Sequence, residues 1–123
     1  MRLASRALVL SALLLASPLA AAKGACLIKG ELYGVAFTDC SEVDAASPSG
    51  EYKAQCESNV ASIQSSGGSA TATVSAACPT GAQGACENPM GRKVRTYYYA
   101  RDAQMLAVTQ RSCEGAGGTW RKP

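Results

Sequence analysis

The tripeptide Gly24-Ala25-Cys26 occurs a second time as Gly84-Ala85-Cys86. The fold is predicted from the residues that follow each copy. Apolar residues alternate along 32–40 after the first copy, and β-branched and aromatic residues fill much of 92–99 after the second. Alternation with a period of two and a high content of such residues are typical of half-buried strands. Each tripeptide is therefore expected to open a β-hairpin.

Turn residues interrupt both predicted hairpins. In the first, Lys29-Gly30-Glu31 is expected to form the turn, and in the second 87–91 does so, because it contains Asn-Pro and a glycine. A helix is expected after each hairpin, with a further short strand at 69–75 and at 119–121.

The helix predictions depend on caps and on apolar spacing. In the first helix, Ser47 is expected to cap, Pro48 to occupy the first position, and 65–68 to end it. In the second, Asp102 is expected to cap and 115–118 to end it. Each helix has one apolar stripe: Tyr52, Cys56, Val60 and Ile63 in the first, and Leu106, Thr109 and Cys113 in the second.

The matched order of hairpin, helix and helical cysteine predicts an internal repeat. Its units are 24–77 and 84–121, and the segment 78–83 joins them. The predicted fold class is α+β, a small disulfide-stabilised domain in which two β-hairpin-plus-helix units pack together.

The first 22 residues are typical of a secretory signal peptide. Arg2 and Arg6 precede the apolar run 7–16, which is too short to span a membrane, and small residues lie just before Lys23. We expect cleavage there, a single mature domain at 23–123 with no transmembrane span, and export to the periplasm or the extracellular space. A lipid anchor at Cys26 is not expected, because Lys23 occupies a position where a lipobox has an aliphatic residue.

All six cysteines lie in the mature region, and an even number in a short exported chain predicts three disulfides. Zinc is not expected, since no two cysteines have a ligand spacing and the chain has no histidine. Two pairings are compatible with the pattern, and both include Cys86–Cys113. The remaining bonds are either Cys26–Cys56 with Cys40–Cys78, or Cys26–Cys40 with Cys56–Cys78.

The mature region contains only twenty large apolar side chains, counting Val, Ile, Leu, Met, Phe, Tyr and Trp. Each ordered residue costs about 1–2 kcal/mol of backbone entropy, and so small an apolar set cannot offset that cost for the whole domain. Disulfides that each contribute about 2–4 kcal/mol are expected to supply the missing stability.

Catalysis is not expected. The absence of histidine excludes imidazole bases and most catalytic zinc sites. The acidic residues Asp39, Glu42 and Asp44 crowd a short polar stretch, which is typical of a solvated loop rather than a catalytic cleft. The chain is therefore predicted to be non-enzymatic, with no cofactor and no metal.

Charge is unevenly distributed along the mature chain. Residues 23–78 hold three basic and six acidic side chains, whereas 79–123 hold seven basic and three acidic. We expect the two halves to neutralise each other. The nearly neutral total argues against binding to nucleic acid.

Aromatic residues flanked by arginines are the best candidates for binding. In a strand, Tyr98 faces away from Tyr97 and Tyr99, so one side is expected to be core and the other exposed. An exposed aromatic surface of this kind suits a protein or a glycan. The candidates are Arg95, Tyr97, Tyr98, Tyr99, Arg101 and Trp120.

The second half resembles a group of small exported cysteine-rich bacterial proteins that have no assigned activity. The shared pattern is C-P, G-x-C, Y-Y and C-x3-G-G-T-W, here at Cys78-Pro79, Gly84-Ala85-Cys86, 97–99 and 113–120. The first half departs from it at 57–60. The pattern is mainly a disulfide framework, so the resemblance implies export and bacterial origin but transfers no functional residue.

Together these observations predict a monomeric, exported interaction or structural module of the cell envelope or extracellular space. The alternative is a secreted protease inhibitor or effector that presents the loop between Cys78 and Cys86.

Overall fold

A computed structural model describes residues 23–44 and 49–123. The predicted signal peptide at 1–22 and the predicted cap at Ser47 and Pro48 lie outside these ranges. The described elements are, in chain order, β1 (Lys23–Leu32), β2 (Val35–Asp44), α1 (Ser49–Ser65), β3 (Ser69–Ser75), β4 (Gly84–Glu87), a short 3-10 turn (Pro89–Gly91), β5 (Val94–Tyr98), α2 (Ala103–Gly115) and β6 (Thr119–Arg121).

The strands form one sheet in the order β3-β1-β2-β5-β4-β6, and every neighbouring pair is antiparallel. The first half of the chain contributes β3, β1 and β2, and the second half contributes β5, β4 and β6. The two halves meet where β2 pairs with β5, which we call the seam. The predicted α+β class, small and with three disulfides, is confirmed.

The first hairpin turns later than the sequence predicts. Lys29-Gly30-Glu31 lies inside β1, and the turn is formed by Tyr33 and Gly34, with φ of 54° and 77°. Positive φ at both positions is the geometry of a tight two-residue hairpin turn. Gly30 has a different role: a Cβ there would lie 2.1 Å from the carbonyl oxygen of Ser69. The glycine therefore permits a close approach of two strands, and the predicted turn at 29–31 is wrong.

The two halves have the same strand register. Cys26 pairs with Ser41 in the first half, and Cys86 pairs with Thr96 in the second. Ser41 in turn pairs with Thr96 across the seam, where their hydroxyl oxygens are 3.2 Å apart. Paired residues share a face of the sheet, so these four form one row on one face. This match is what a repeat would produce, and the repeat itself stays a prediction.

The disulfides attach a helix to each half on that same face. Cys26 bonds to Cys56 of α1, and Cys86 bonds to Cys113 of α2. We call this side the helical face. The third bond, Cys40–Cys78, leaves from the opposite face, because Cys40 is one residue before Ser41 on β2. These are the bonds expected for equivalent units, and the sequential alternative does not form.

The residues at both ends of α2 position the Cys86–Cys113 disulfide. Asp102 caps α2 as predicted, accepting a hydrogen bond from the backbone N–H of Met105 at 2.8 Å. Beyond the helix, a Cβ at Gly118 would lie 2.8 Å from Sγ of Cys86 and 2.9 Å from Sγ of Cys113. A glycine is therefore required where the chain passes over the bond.

Sulfur dominates the buried core. Within the described ranges the buried apolar residues are Ala25, Cys26, Cys40, Cys56, Ala85, Cys86 and Cys113, and the largest fully buried side chains are cysteines. Large apolar side chains are at most partly covered, and Val35 keeps 58% of its surface exposed. The disulfides thus occupy the place that aliphatic side chains take in most domains.

Reduction should therefore unfold the protein. Each bond constrains the unfolded chain and contributes about 2–4 kcal/mol to the free energy of unfolding. The few other buried side chains cannot compensate for its loss. We expect thermal denaturation followed by circular dichroism to show a cooperative transition for the oxidised protein and none, or a strongly lowered melting temperature, in reductant. The variant Cys86→Ala/Cys113→Ala isolates one bond, with the exposed neighbour Ser112→Ala as its control. Equal melting temperatures with and without reductant would contradict the prediction.

Candidate functional site

The two helices leave the centre of the helical face uncovered. Their anchors, Cys26 and Cys86, lie on strands three spacings apart, about 14 Å, whereas packed helices approach to about 8–10 Å. Helix α1 contacts β1 and β3, and α2 contacts β4 and β6. The helical face of β2 therefore lies between them with no helix over it, and we call this opening the inter-helix groove.

Apolar side chains line one end of the groove. There a cavity of about 610 Å³ has Val35 and Phe37 of β2 on its floor, Ile63 of α1 on one side and Met105 of α2 on the other. Val35 is 58% and Met105 42% exposed. Exposed apolar side chains that converge on one concave surface are typical of a binding site.

A second depression, of about 570 Å³, lies beside Val43 and Tyr52. Tyr52 of α1 reaches β2, where its hydroxyl donates to the carbonyl oxygen of Ser41 at 2.5 Å. Burial raises the pKa of Tyr52 to about 12, so the hydroxyl keeps the proton that it donates to a higher pH than an ordinary tyrosine does.

A charged pair closes the polar end of the first cavity. Arg101 donates from Nη1 and Nη2 to the two carboxylate oxygens of Asp39, at 2.9 and 3.0 Å. Its Nε donates to Oγ1 of Thr109 on α2 at 3.3 Å. Burial raises the pKa of the Asp39 carboxyl, while the guanidinium acts in the opposite direction. The pair joins the acidic half to the basic half, and the charges of Asp39 and Arg101 compensate each other. Asp102 also lines this end of the cavity.

Three of the six predicted binding residues come together beside this pair. Trp120 stacks on Tyr98, with ring centroids 5.8 Å apart and planes inclined by 21°. The guanidinium of Arg101 lies over the Tyr98 ring, 4.9 Å from its centroid. Gly84 makes room for the stack, since a Cβ there would lie 2.3 Å from the indole ring of Trp120. Burial also raises the pKa of Tyr98.

The other three predicted residues lie elsewhere. Tyr97 pairs with Cys40 and so belongs to the opposite face, where Arg95 donates to its hydroxyl at 3.2 Å. Tyr99 donates its hydroxyl to the carbonyl oxygen of Pro79 at 2.6 Å. The six candidates therefore do not form one aromatic surface, and whether any of them binds a partner stays a prediction.

The acidic cluster is not a solvated loop. Asp39 and Glu42 both lie within β2, and they face opposite sides of the sheet because three positions separate them. Glu42 accepts from the backbone N–H of Cys78 at 2.8 Å and from the hydroxyl of Tyr97 at 3.4 Å. The expectation of a loop was wrong because β2 continues to Asp44, and these carboxylates are partnered within the fold.

Val35, Phe37 and Met105 were not among the residues predicted from the sequence to form a site. They line the cavity because neither helix covers this end of β2. One signal was present: Asp39 and Ser41 continue the alternation of Val35 and Phe37 on the same side of β2. Polar residues among apolar ones on one face of a strand indicate a face that is not fully buried.

Comparisons of the chain with protein-family models, with curated proteins and with solved structures find no match. Over the described ranges, no helix has the length and hydropathy of a membrane span. Over the same ranges, no group of three or more acidic, cysteine or histidine side chains is arranged to hold a metal ion.

Arg101→Lys tests the charged pair. A lysine cannot donate to both oxygens of Asp39 in parallel and lacks the planar group that lies on Tyr98, so we expect unfolding free energy to fall by about 1–3 kcal/mol. Guanidinium denaturation measures this, and Arg111→Lys, at an exposed position of α2, is the control. Equal stability of the two variants would show that the ion pair does not stabilise the fold.

Proposed function

We propose that the protein is an exported, non-enzymatic interaction module of the cell envelope or extracellular space that binds an extended apolar segment of a partner protein in the inter-helix groove. The observation that carries this proposal is the cavity of about 610 Å³, which opens between two helices held apart by their disulfides. Its volume lies within the range of about 300–1,000 Å³ that is usual for ligand sites.

Export is supported by the three disulfides together with the signal-peptide pattern at 1–22. Disulfides form and persist outside the reducing cytosol. The resemblance of the second half to small exported bacterial proteins favours the same compartment.

The shape of the groove favours an extended chain. The anchor strands β1 and β4 lie about 14 Å apart, and each helix contacts the strand beyond its anchor, β3 or β6, at least as closely, so the opening is at least one strand wide. An extended segment fits such an opening without displacing either helix. The proposed occupant is therefore a segment without regular structure or with strand geometry, and selection of helical peptides would contradict this choice.

The chemistry of the groove favours apolar side chains over a sugar. Phe37, Ile63 and Met105 offer aliphatic and aromatic contacts, and the charge of Asp39 is compensated by Arg101. The Tyr98 ring, which a glycan would need as a platform, is contacted by Trp120 and Arg101 instead. Acid–base hydrolysis needs two carboxylates that share a cleft, and Asp39 and Asp102 both line this cavity. Asp39 is paired with Arg101 and Asp102 caps α2 through the N–H of Met105, and these structural roles support a non-enzymatic function.

The experiment pans a phage-displayed library of random peptides against the oxidised protein. We expect the selected peptides to carry bulky apolar residues and to bind in fluorescence anisotropy. Met105→Asp should weaken their binding by about tenfold or more, because an unpaired carboxylate would be buried in an apolar groove.

Val108→Asp is the matched control for this experiment. Val108 lies on the same helix with 37% exposure, close to the 42% of Met105, and does not line the cavity. The proposal requires that Val108→Asp binds like the wild type. It is wrong if the two variants lose binding equally, if neither loses it, or if no apolar peptide is selected.

A second candidate function is protease inhibition by the segment between Cys78 and Cys86. Cys40 and Cys113 anchor its two ends. Tyr99 further holds Pro79, and Gln83 exchanges two hydrogen bonds of 2.8 Å with the backbone of Arg101. A loop restrained at both ends is the kind of segment that inhibitors present to proteases.

Titration of the oxidised protein against a panel of serine proteases tests the second candidate. Thr80 is exposed in this loop, beside the positive φ of 90° at Gly81. We expect Thr80→Asp to abolish any inhibition by placing a charge in the contact, whereas Ser66→Asp, in the exposed turn after α1, leaves it unchanged. Absence of inhibition across the panel would eliminate this candidate.

A further inference from the structure

Strand β3 forms an open edge of the sheet. It is the last strand in the sheet order and pairs with β1 alone within the described part of the chain. Every residue of β3 except Ala70 is exposed. An edge strand of this kind presents unpaired backbone N–H and C=O groups to its surroundings.

Helix α1 packs against β3 but leaves most of its residues exposed, and the protective features that an edge strand usually carries in its own sequence are missing from β3. Its sequence, Ser-Ala-Thr-Ala-Thr-Val-Ser, contains no charge and no proline, and its register with β1 is unbroken from Ser69 to Ser75. The opposite edge is different. Strand β6 has only three residues, Arg121 carries a charge there, and Lys122-Pro123 follows. Natural proteins use short strands, charges and prolines to prevent edge-to-edge pairing, so β6 is protected and β3 is not.

The sequence of β3 is nearly the same in both directions about Ala72. Antiparallel pairing of two copies about this residue would place Ala72 opposite itself, Thr71 opposite Thr73 and Ser69 opposite Ser75. A two-fold interface requires that one surface complement itself. We infer that β3 pairs antiparallel with β3 of a second copy of this chain, with the two-fold axis at Ala72.

The side chains fit this pairing on both faces. On one face Thr71 meets Thr73 of the partner subunit, and such cross-strand hydroxyl pairs stabilise sheets. On the helical face Ala70 meets Val74 of the partner subunit, which covers a side chain that is 45% exposed in the single chain. No like charges meet anywhere along the strand.

The chain already contains antiparallel strand pairing of this type at its own seam. Strands β2 and β5 pair antiparallel through five residues, with the Ser41 and Thr96 hydroxyls in contact at the centre. Strand β3 offers seven residues for the same arrangement. Pairing would extend one sheet through two subunits, so this inference replaces the monomer expected from the sequence. It does not depend on the groove.

Substitution on the proposed axis gives a sharp test. Ala72→Lys places two like charges directly opposite each other, and so does Ala72→Glu. We expect sedimentation velocity over a range of concentrations to show self-association of the oxidised wild type, weakened by about tenfold or more in each variant alone. An equimolar mixture of the two variants should associate again, because opposite charges then face each other.

The control is Ala107→Lys, an exposed position of α2 far from β3 in the sheet order, which should associate like the wild type. Amide hydrogen exchange of the unmodified protein gives an independent measurement, with protection of 69–75 that rises with protein concentration. The inference is overturned if the wild type stays monomeric, if the mixture fails to restore association, or if protection of β3 does not depend on concentration.

Discussion

Covalent bonds between strands and helices are the constraint on which this structure depends. Five of the seven buried apolar residues in the described part of the chain are cysteines, and the other two are alanines. A core of this size cannot offset the entropy of ordering the chain through apolar burial alone. The disulfides restrict the unfolded chain instead, and each closes a loop of substantial length, since its partners are 27 to 38 positions apart in sequence.

The same constraint creates the groove. In a domain held together by aliphatic packing, two helices on one face move toward each other until their side chains interlock. Here Cys56 and Cys113 attach each helix to its own half of the sheet, and β2 and β5 lie between the attachments. Val35 of β2 stays accessible because neither helix covers it, whereas Tyr98 of β5 is covered by Trp120 and Arg101.

Arg101 connects the seam to the groove. It lies after β5, pairs with Asp39 of β2 and covers the ring of Tyr98. The two halves have opposite net charges, and this half-buried ion pair joins an acidic residue of one half to a basic residue of the other. Its members also form the polar end of the cavity, a location that the overall charge could not show.

The sequence by itself determined the class of the fold, the strand and helix order, the Asp102 cap and the Cys86–Cys113 bond, because these follow from local periodicity, capping and spacing. The first turn was predicted in the wrong place because Gly30 was interpreted as a turn residue. The glycine is needed instead because Ser69, which is distant in the chain, approaches it closely. The sequence left the other two bonds open and did not identify Val35 and Met105 as residues that line a groove. Only the tertiary structure decided these points, because they depend on which strands become neighbours and on how far apart the anchored helices lie.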